Sequence, residues 1–136
     1  MRKHFALILS LITLTACATI SPFSEQAYQQ ATSLKVDALA LIDKASDPYP
    51  SHKSDVDTLI LNIDKAYEYA KGRPKNEEST KQWAIIENPN GHSLGGFLKR
   101  WQDKNTIDAE EIEDAKNLVS DGFDTVIGLE SGKIKN

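Results

Sequence analysis

The chain has 136 residues, with 16 basic and 20 acidic side chains, a formal charge of −4 and a single cysteine. One cysteine closes no internal disulfide, and a chain of this length sets one domain as the default. The acidic balance argues against nucleic acid as a partner, because that binding draws on clustered Lys and Arg against phosphates.

Arg2 and Lys3 make a positive start, and Phe5 to Leu14 is apolar apart from Ser10 and Thr13. That is the order of a secretory signal. It is too short to span a bilayer, where about 30 Å of hydrocarbon takes about 20 apolar residues; polar Ser21, Ser24, Glu25 and Gln26 arrive first. Leu14-Thr15-Ala16-Cys17 resembles the lipobox of bacterial lipoproteins. The resemblance implies cleavage after residue 16 and a diacylglycerol on the Cys17 thiol, which becomes the first mature residue. An ordinary cleaved signal is the alternative, and it leaves Cys17 as a free thiol or one paired with another chain. Two acyl chains anchor stably, at about 0.8 kcal/mol per buried methylene. Ala18 after the cysteine implies, on the same resemblance, sorting to the outer membrane with the domain facing the periplasm, or a plasma-membrane anchor in a Gram-positive host.

Cleavage removes Arg2 and Lys3, leaving 120 residues with 14 basic and 20 acidic side chains, a formal charge of −6. Residues 17–23 then form the lipidated terminus and tether, and 24–136 a single helical domain. Only Ala18 to Ser21 separates the lipid from a helix start at Ser21-Pro22, a reach of at most about 14 Å. The domain is expected to sit against the membrane.

The first helix is expected over Ser24–Ala45, with Ala27, Ala31, Leu34, Ala38, Leu41 and Ala45 on one stripe. The stripe reads as the inward face of a small bundle, with a coiled-coil seam as the alternative. Ser46-Asp47-Pro48-Tyr49-Pro50-Ser51 breaks it, because proline removes a donor and disfavours helix in the residue before it. The second helix begins near Ser54, with Asp57 echoing a capping box, and ends at Lys71-Gly72-Arg73-Pro74. A third covers Glu77–Glu87 and stops before Asn88-Pro89-Asn90-Gly91, although Ile85-Ile86 leaves a strand open. A fourth, Leu94–Lys104, puts Leu94, Phe97, Leu98 and Trp101 on one face. The fifth starts at Asp108, paired with Glu111, and runs to about Gly132; Gly122 and Gly128 mark a kink or a close helix contact. The expected architecture is all-α, a compact bundle of four to five helices.

Gly91-His92-Ser93-Leu94-Gly95-Gly96 fits G-x-S-x-G and resembles the nucleophile elbow of the α/β-hydrolase family. The resemblance implies a strand feeding the turn, with the acid and histidine of the triad after the serine. Here Asn88, Pro89 and Asn90 intervene, and the histidines are His4, His52 and His92, none after Ser93. A serine hydroxyl needs a base, so Ser93 reads instead as the cap of helix four, the glycines making the turn. The same helix start, with Ser93, Gly95, Lys99 and Arg100, is a candidate anion contact.

Asp108, Glu110, Glu111, Glu113 and Asp114 lack the spacing of a calcium loop and read as first-turn acids favoured by the helix dipole. His52 and His92 have no zinc-ligand spacing, so no metal or other cofactor is expected. Trp83, Trp101, Tyr67 and Phe97 sit at core positions. Tyr49, between two prolines in a loop, is a candidate partner contact. The expected function is a non-enzymatic envelope lipoprotein, lipidated at Cys17, that binds a protein partner as an assembly factor, inhibitor or exclusion protein. A lipid-anchored serine hydrolase using Ser93 and a purely structural lipoprotein are the alternatives.

Overall fold

The computed structural model describes residues 19–133. The expected signal, Cys17 and Ala18 lie outside these residues. Five helices follow in order: α1 (Glu25–Ile42), α2 (Lys53–Gly72), α3 (Glu77–Glu87), α4 (Leu94–Lys104) and α5 (Ala109–Gly132), with a 3-10 turn at Tyr49–His52. The domain is an all-α bundle. Among the described residues there is no strand, and Ile85 and Ile86 both belong to α3, Ile86 in the core and Ile85 exposed.

Helices α1, α2, α3 and α5 form a closed ring of neighbours, α1 on α2, α2 on α3, α3 on α5 and α5 back on α1. Every pair is antiparallel. Lys35 meets Asp124 while Asp43 meets Lys116, and Ser24 meets Tyr69 while Lys44 meets Asp55. Helix α4 sits in the connection between α3 and α5 and packs on both, as well as on the 3-10 turn. Its face of Leu94, Phe97, Leu98 and Trp101 is buried, and Trp83 meets Phe123 edge to face at 5.8 Å in the same core. Each buried aromatic ring adds a large apolar area to a core otherwise built of Ala, Leu, Ile and Val.

Local signals set most helix ends. Ser24 Oγ accepts from the Ala27 amide at 3.2 Å, and Asp108 Oδ1 accepts from the Glu111 amide at 2.9 Å. Two starts differ from expectation. Helix α2 begins one residue earlier than expected, at Lys53, and Asp57 accepts from the Lys53 ammonium instead of capping. Glu111 turns its carboxylate away from a capping box toward Arg100 Nε at 2.9 Å and Lys104 Nζ at 2.8 Å. Lys104 first and Arg100 second hold that carboxyl below its ordinary value, and the three-residue cluster ties α4 to α5. Helix α1 ends at Ile42, and Asp43–Ala45 tighten into i→i+3 turns.

Two stitches close the bundle ends. At one end Tyr49 N donates to Asn105 O, Ile107 N to Ala45 O, and Trp101 Nε1 to Asp47 O. Asn105 takes φ 70° to end α4, a left-handed position that asparagine tolerates. At the other end Ser21 donates from its amide to Lys75 O at 2.9 Å and from its hydroxyl to Pro74 O at 2.8 Å. Arg73 donates to Pro22 O, fastening the segment before α1 onto the α2–α3 turn. Beneath that clasp lies a buried polar cluster. Glu130 pairs with Arg73 and Lys133, and the Lys133 ammonium also donates to Asn76 and Ser79.

Candidate functional site

The GHSLGG string is the joint between α3 and α4. A Cβ built on Gly95 would stand 2.1 Å from the Glu87 carbonyl oxygen, and one on Gly96 would stand 1.9 Å from the Gly91 carbonyl oxygen. No side chain fits at that separation, so Gly95 lets the first turn of α4 cross directly over the carboxyl end of α3, and Gly96 lets the same turn close against the Gly91 carbonyl of the connecting loop. Ser93 occupies the N-cap position without making a side-chain cap bond. Its Oγ is buried and has no hydrogen-bond partner, and it faces Gly122 of α5. Of the two glycines read as kink or contact points, Gly122 is a close helix contact, whereas Gly128 has open space beside it.

Several expectations for these residues are corrected. Ser93 does not cap through its hydroxyl, because the chain turns it inward toward α5. The candidate anion contact at Ser93 and Gly95 lies on a crowded side of the joint. The approach over Gly95 is filled by the carbonyls of α3, which carry the negative end of that helix dipole, and the flanking cations are engaged elsewhere, Lys99 with Asp103 and Arg100 with Glu111. Tyr49 is not an exposed loop contact. It is only 9% exposed and lies edge-on to Trp101 at 5.5 Å. His52 hydrogen-bonds Asp47 at 2.8 Å, lies 3.8 Å from Asp55 and stacks obliquely on Trp101 at the far end of α4 from Ser93.

Ser93→Ala is therefore expected to leave stability unchanged or raise it by up to about 1 kcal/mol, since it removes an unpaired buried hydroxyl. Ser24→Ala and Asp108→Ala, which delete real caps, should each cost about 1 kcal/mol. Urea unfolding of the three variants checks this. A loss at Ser93 equal to that at Ser24 would show that the hydroxyl has a partner after all.

A concave feature of the described residues lies beside this joint. Helices α2 and α4 stand apart, and the gap between them is a groove of about 920 Å³. Its floor and walls are mostly apolar, from Val56, Ile60 and Ile63 on α2, Leu94 and Leu98 on α4, and Ile86 of α3 beneath, with Asn88, Lys99 and Gln102 also on the lining. The α2 residues recur at three- and four-residue spacing, so one helical stripe builds one wall. Tyr49 closes one end together with Val56. Asp64 and Glu68 of α2 and Glu87 of α3 gather at the other, where α3 hands over to α4.

That acidic end is unbalanced. Among the described residues neither Asp64 nor Glu87 has an ion-pair partner, and Glu68 lies 3.8 Å from Lys71. Burial first, and then the neighbouring Asp64 and Glu68 carboxylates, push the Glu87 carboxyl above its ordinary value. The one basic side chain on the lining, Lys99, belongs to Asp103. Ile60 is 43% exposed on the lip. Sequence reasoning places Ile60 on the apolar stripe of the second helix and leaves Asp64 and Glu68 on that helix unmarked. The available signal was that Ile60 and Leu61 together widen the apolar face of α2 beyond what one packing partner can cover.

Among the described residues no three metal-ligating side chains cluster, and no helix is long and apolar enough to cross a membrane. Comparison with family models, curated proteins and solved structures returned no match in any of the three. The class these features define is an all-α bundle with a largely apolar, acid-ended groove between α2 and α4.

Proposed function

We propose that this protein is a lipid-anchored envelope lipoprotein whose helical domain binds a protein partner without catalysing a reaction. The observation that carries the binding part is the groove between α2 and α4, apolar along its floor and left with unpaired carboxylates at one end. The anchor rests on the order of Arg2-Lys3, the apolar Phe5–Leu14 stretch and Leu14-Thr15-Ala16-Cys17. Ala18 after the cysteine favours the outer membrane, with the domain facing the periplasm.

The clasp at Ser21 supports a domain held close to the bilayer. From Ser21 onward the chain is fastened to the α2–α3 turn, so three residues, 18 to 20, separate Cys17 from the clasp, a reach of at most about 14 Å from Cys17 to Ser21. Ile20 and Phe23 are partly exposed on either side of the clasp, which suits an edge lying at a lipid surface.

Cys17→Ser is expected to abolish incorporation of labelled palmitate and to release the protein from the membrane fraction. Retained label overturns the anchor. For the partner, a photo-crosslinking residue at Ile60 in intact cells, at native expression, should give one discrete stoichiometric adduct. Its absence overturns the binding reading.

A further inference from the structure

We propose that the groove receives an amphipathic α-helix of the partner protein, with leucine-type side chains seated between α2 and α4 and a lysine or arginine at the Asp64–Glu68–Glu87 end. This rests on the partner-binding reading above and names the chemistry of the occupant.

The shape is that of a helix seat. From Val56 to Tyr67 the α2 wall runs three turns, about 16 Å at 1.5 Å per residue, long enough to hold the about 10.5 Å between apolar anchors at i and i+7 with a turn to spare. The volume of about 920 Å³ holds several large side chains, and the groove is open along its length, so the backbone of the occupant stays outside. Exposed Ile60 on the lip and buried Leu98 on the opposite wall offer apolar contact on both flanks.

Charge selects the occupant. Three carboxylates converge on one end, and the only lining cation already has its own acid. A lysine or arginine placed there gains an electrostatic partner partly shielded from solvent and relieves the repulsion among Asp64, Glu68 and Glu87. The same acids disfavour an anionic lipid headgroup. A second copy of this chain is disfavoured too, because the chain is net acidic and like-charged surfaces repel.

The test uses the full lipidated protein in zwitterionic nanodiscs, with empty discs subtracted. The probe is an 18-residue helical peptide of leucine and lysine with leucines at i, i+3, i+4 and i+7, followed by fluorescence anisotropy. Its counterpart with glutamate for lysine should bind at least tenfold more weakly. Ile60→Asp, and Asp64→Lys combined with Glu68→Lys, should each weaken the lysine peptide at least tenfold; all three sites are exposed, so circular dichroism should show the fold kept. Val36→Asp on α1, 66% exposed and outside the groove, should leave binding within twofold.

Equal binding of the two peptides, or groove variants indistinguishable from Val36→Asp, overturns the proposal. So does self-association of the protein that Ile60→Asp abolishes, which would make the occupant a second copy, or capture by anionic vesicles that the same substitution abolishes. The crosslink from Ile60 separates the two levels of inference. An adduct to an acidic or extended segment overturns the helix and leaves the partner reading standing. Peptide binding as described, with no adduct in cells, supports the groove chemistry and overturns the partner reading.

Discussion

Gly95→Ala is expected to destabilise the domain by about 3 kcal/mol or more, although alanine is the better helix former by about 1 kcal/mol. The added methyl would lie 2.1 Å from the Glu87 carbonyl oxygen and 2.6 Å from its carbon. These are backbone atoms at the end of a packed helix, so no side chain can rotate aside. Helix α4 has to lift away from α3, and Leu94, Phe97, Leu98 and Trp101 leave the core with it. For a domain of this size the melting temperature should fall by roughly 12 °C. Gly96→Ala, aimed at the Gly91 carbonyl, should behave alike.

Gly128→Ala supplies the opposite sign. No atom lies within 4 Å of its added Cβ, so helix propensity alone acts and stability should rise by about 0.5–1 kcal/mol. Thermal melts of the two alanine variants, followed by circular dichroism, decide the matter. If Gly95→Ala also raised the melting temperature, the close crossing of α3 and α4 would be wrong.

Glu130→Ala carries the second large effect, an expected loss of about 3–5 kcal/mol. Glu130 is 1% exposed and Lys133 5% exposed. Removing the carboxylate leaves the Lys133 ammonium buried with Asn76 and Ser79 as its remaining partners among the described residues, and leaves Arg73 with the Pro22 carbonyl and the face of Tyr69. Breaking a buried ion pair from one side strands a charge in low dielectric. Replacing both ends by apolar groups of similar volume, Glu130→Leu with Lys133→Met, should recover at least half of that loss. Urea unfolding of the two singles and the double gives the coupling directly. A Glu130→Ala cost below about 1 kcal/mol, the value of a solvated pair, would mean that the cluster is open to water.

Helix type and approximate ends were legible residue by residue. The α1 stripe from Ala27 to Ala45 is buried as its spacing required, and Ser24 and Asp108 cap as their positions required. Those signals act within four residues along the chain, so they survive without knowledge of neighbours. Ser93 failed the same reasoning. Its hydroxyl choice between its own helix and Gly122 depends on where α5 lies, nearly 30 residues away. The acidic end of α5 misled in a milder way, because Glu111 was read against its own helix turn when Arg100 and Lys104 on α4 stood closer.

The candidate site was the least legible part. Asp64 and Glu68 look like solvated acids in a string and become an unbalanced pole only when the carboxyl end of α3 brings Glu87 beside them. Glu130 and Lys133 carry no local mark near the end of α5 and become a buried cluster only when Asn76 and Ser79 enclose them.

By itself the sequence determined the all-α class and the order of the five helices, because periodicity, caps and breakers are written in adjacent residues. Only the tertiary structure decided that Tyr49 is core, that Gly95 of the serine string is a crossing point and that α2 and α4 leave a groove. Each of those depends on the distance between segments remote in sequence, and packing, not local pattern, sets that distance.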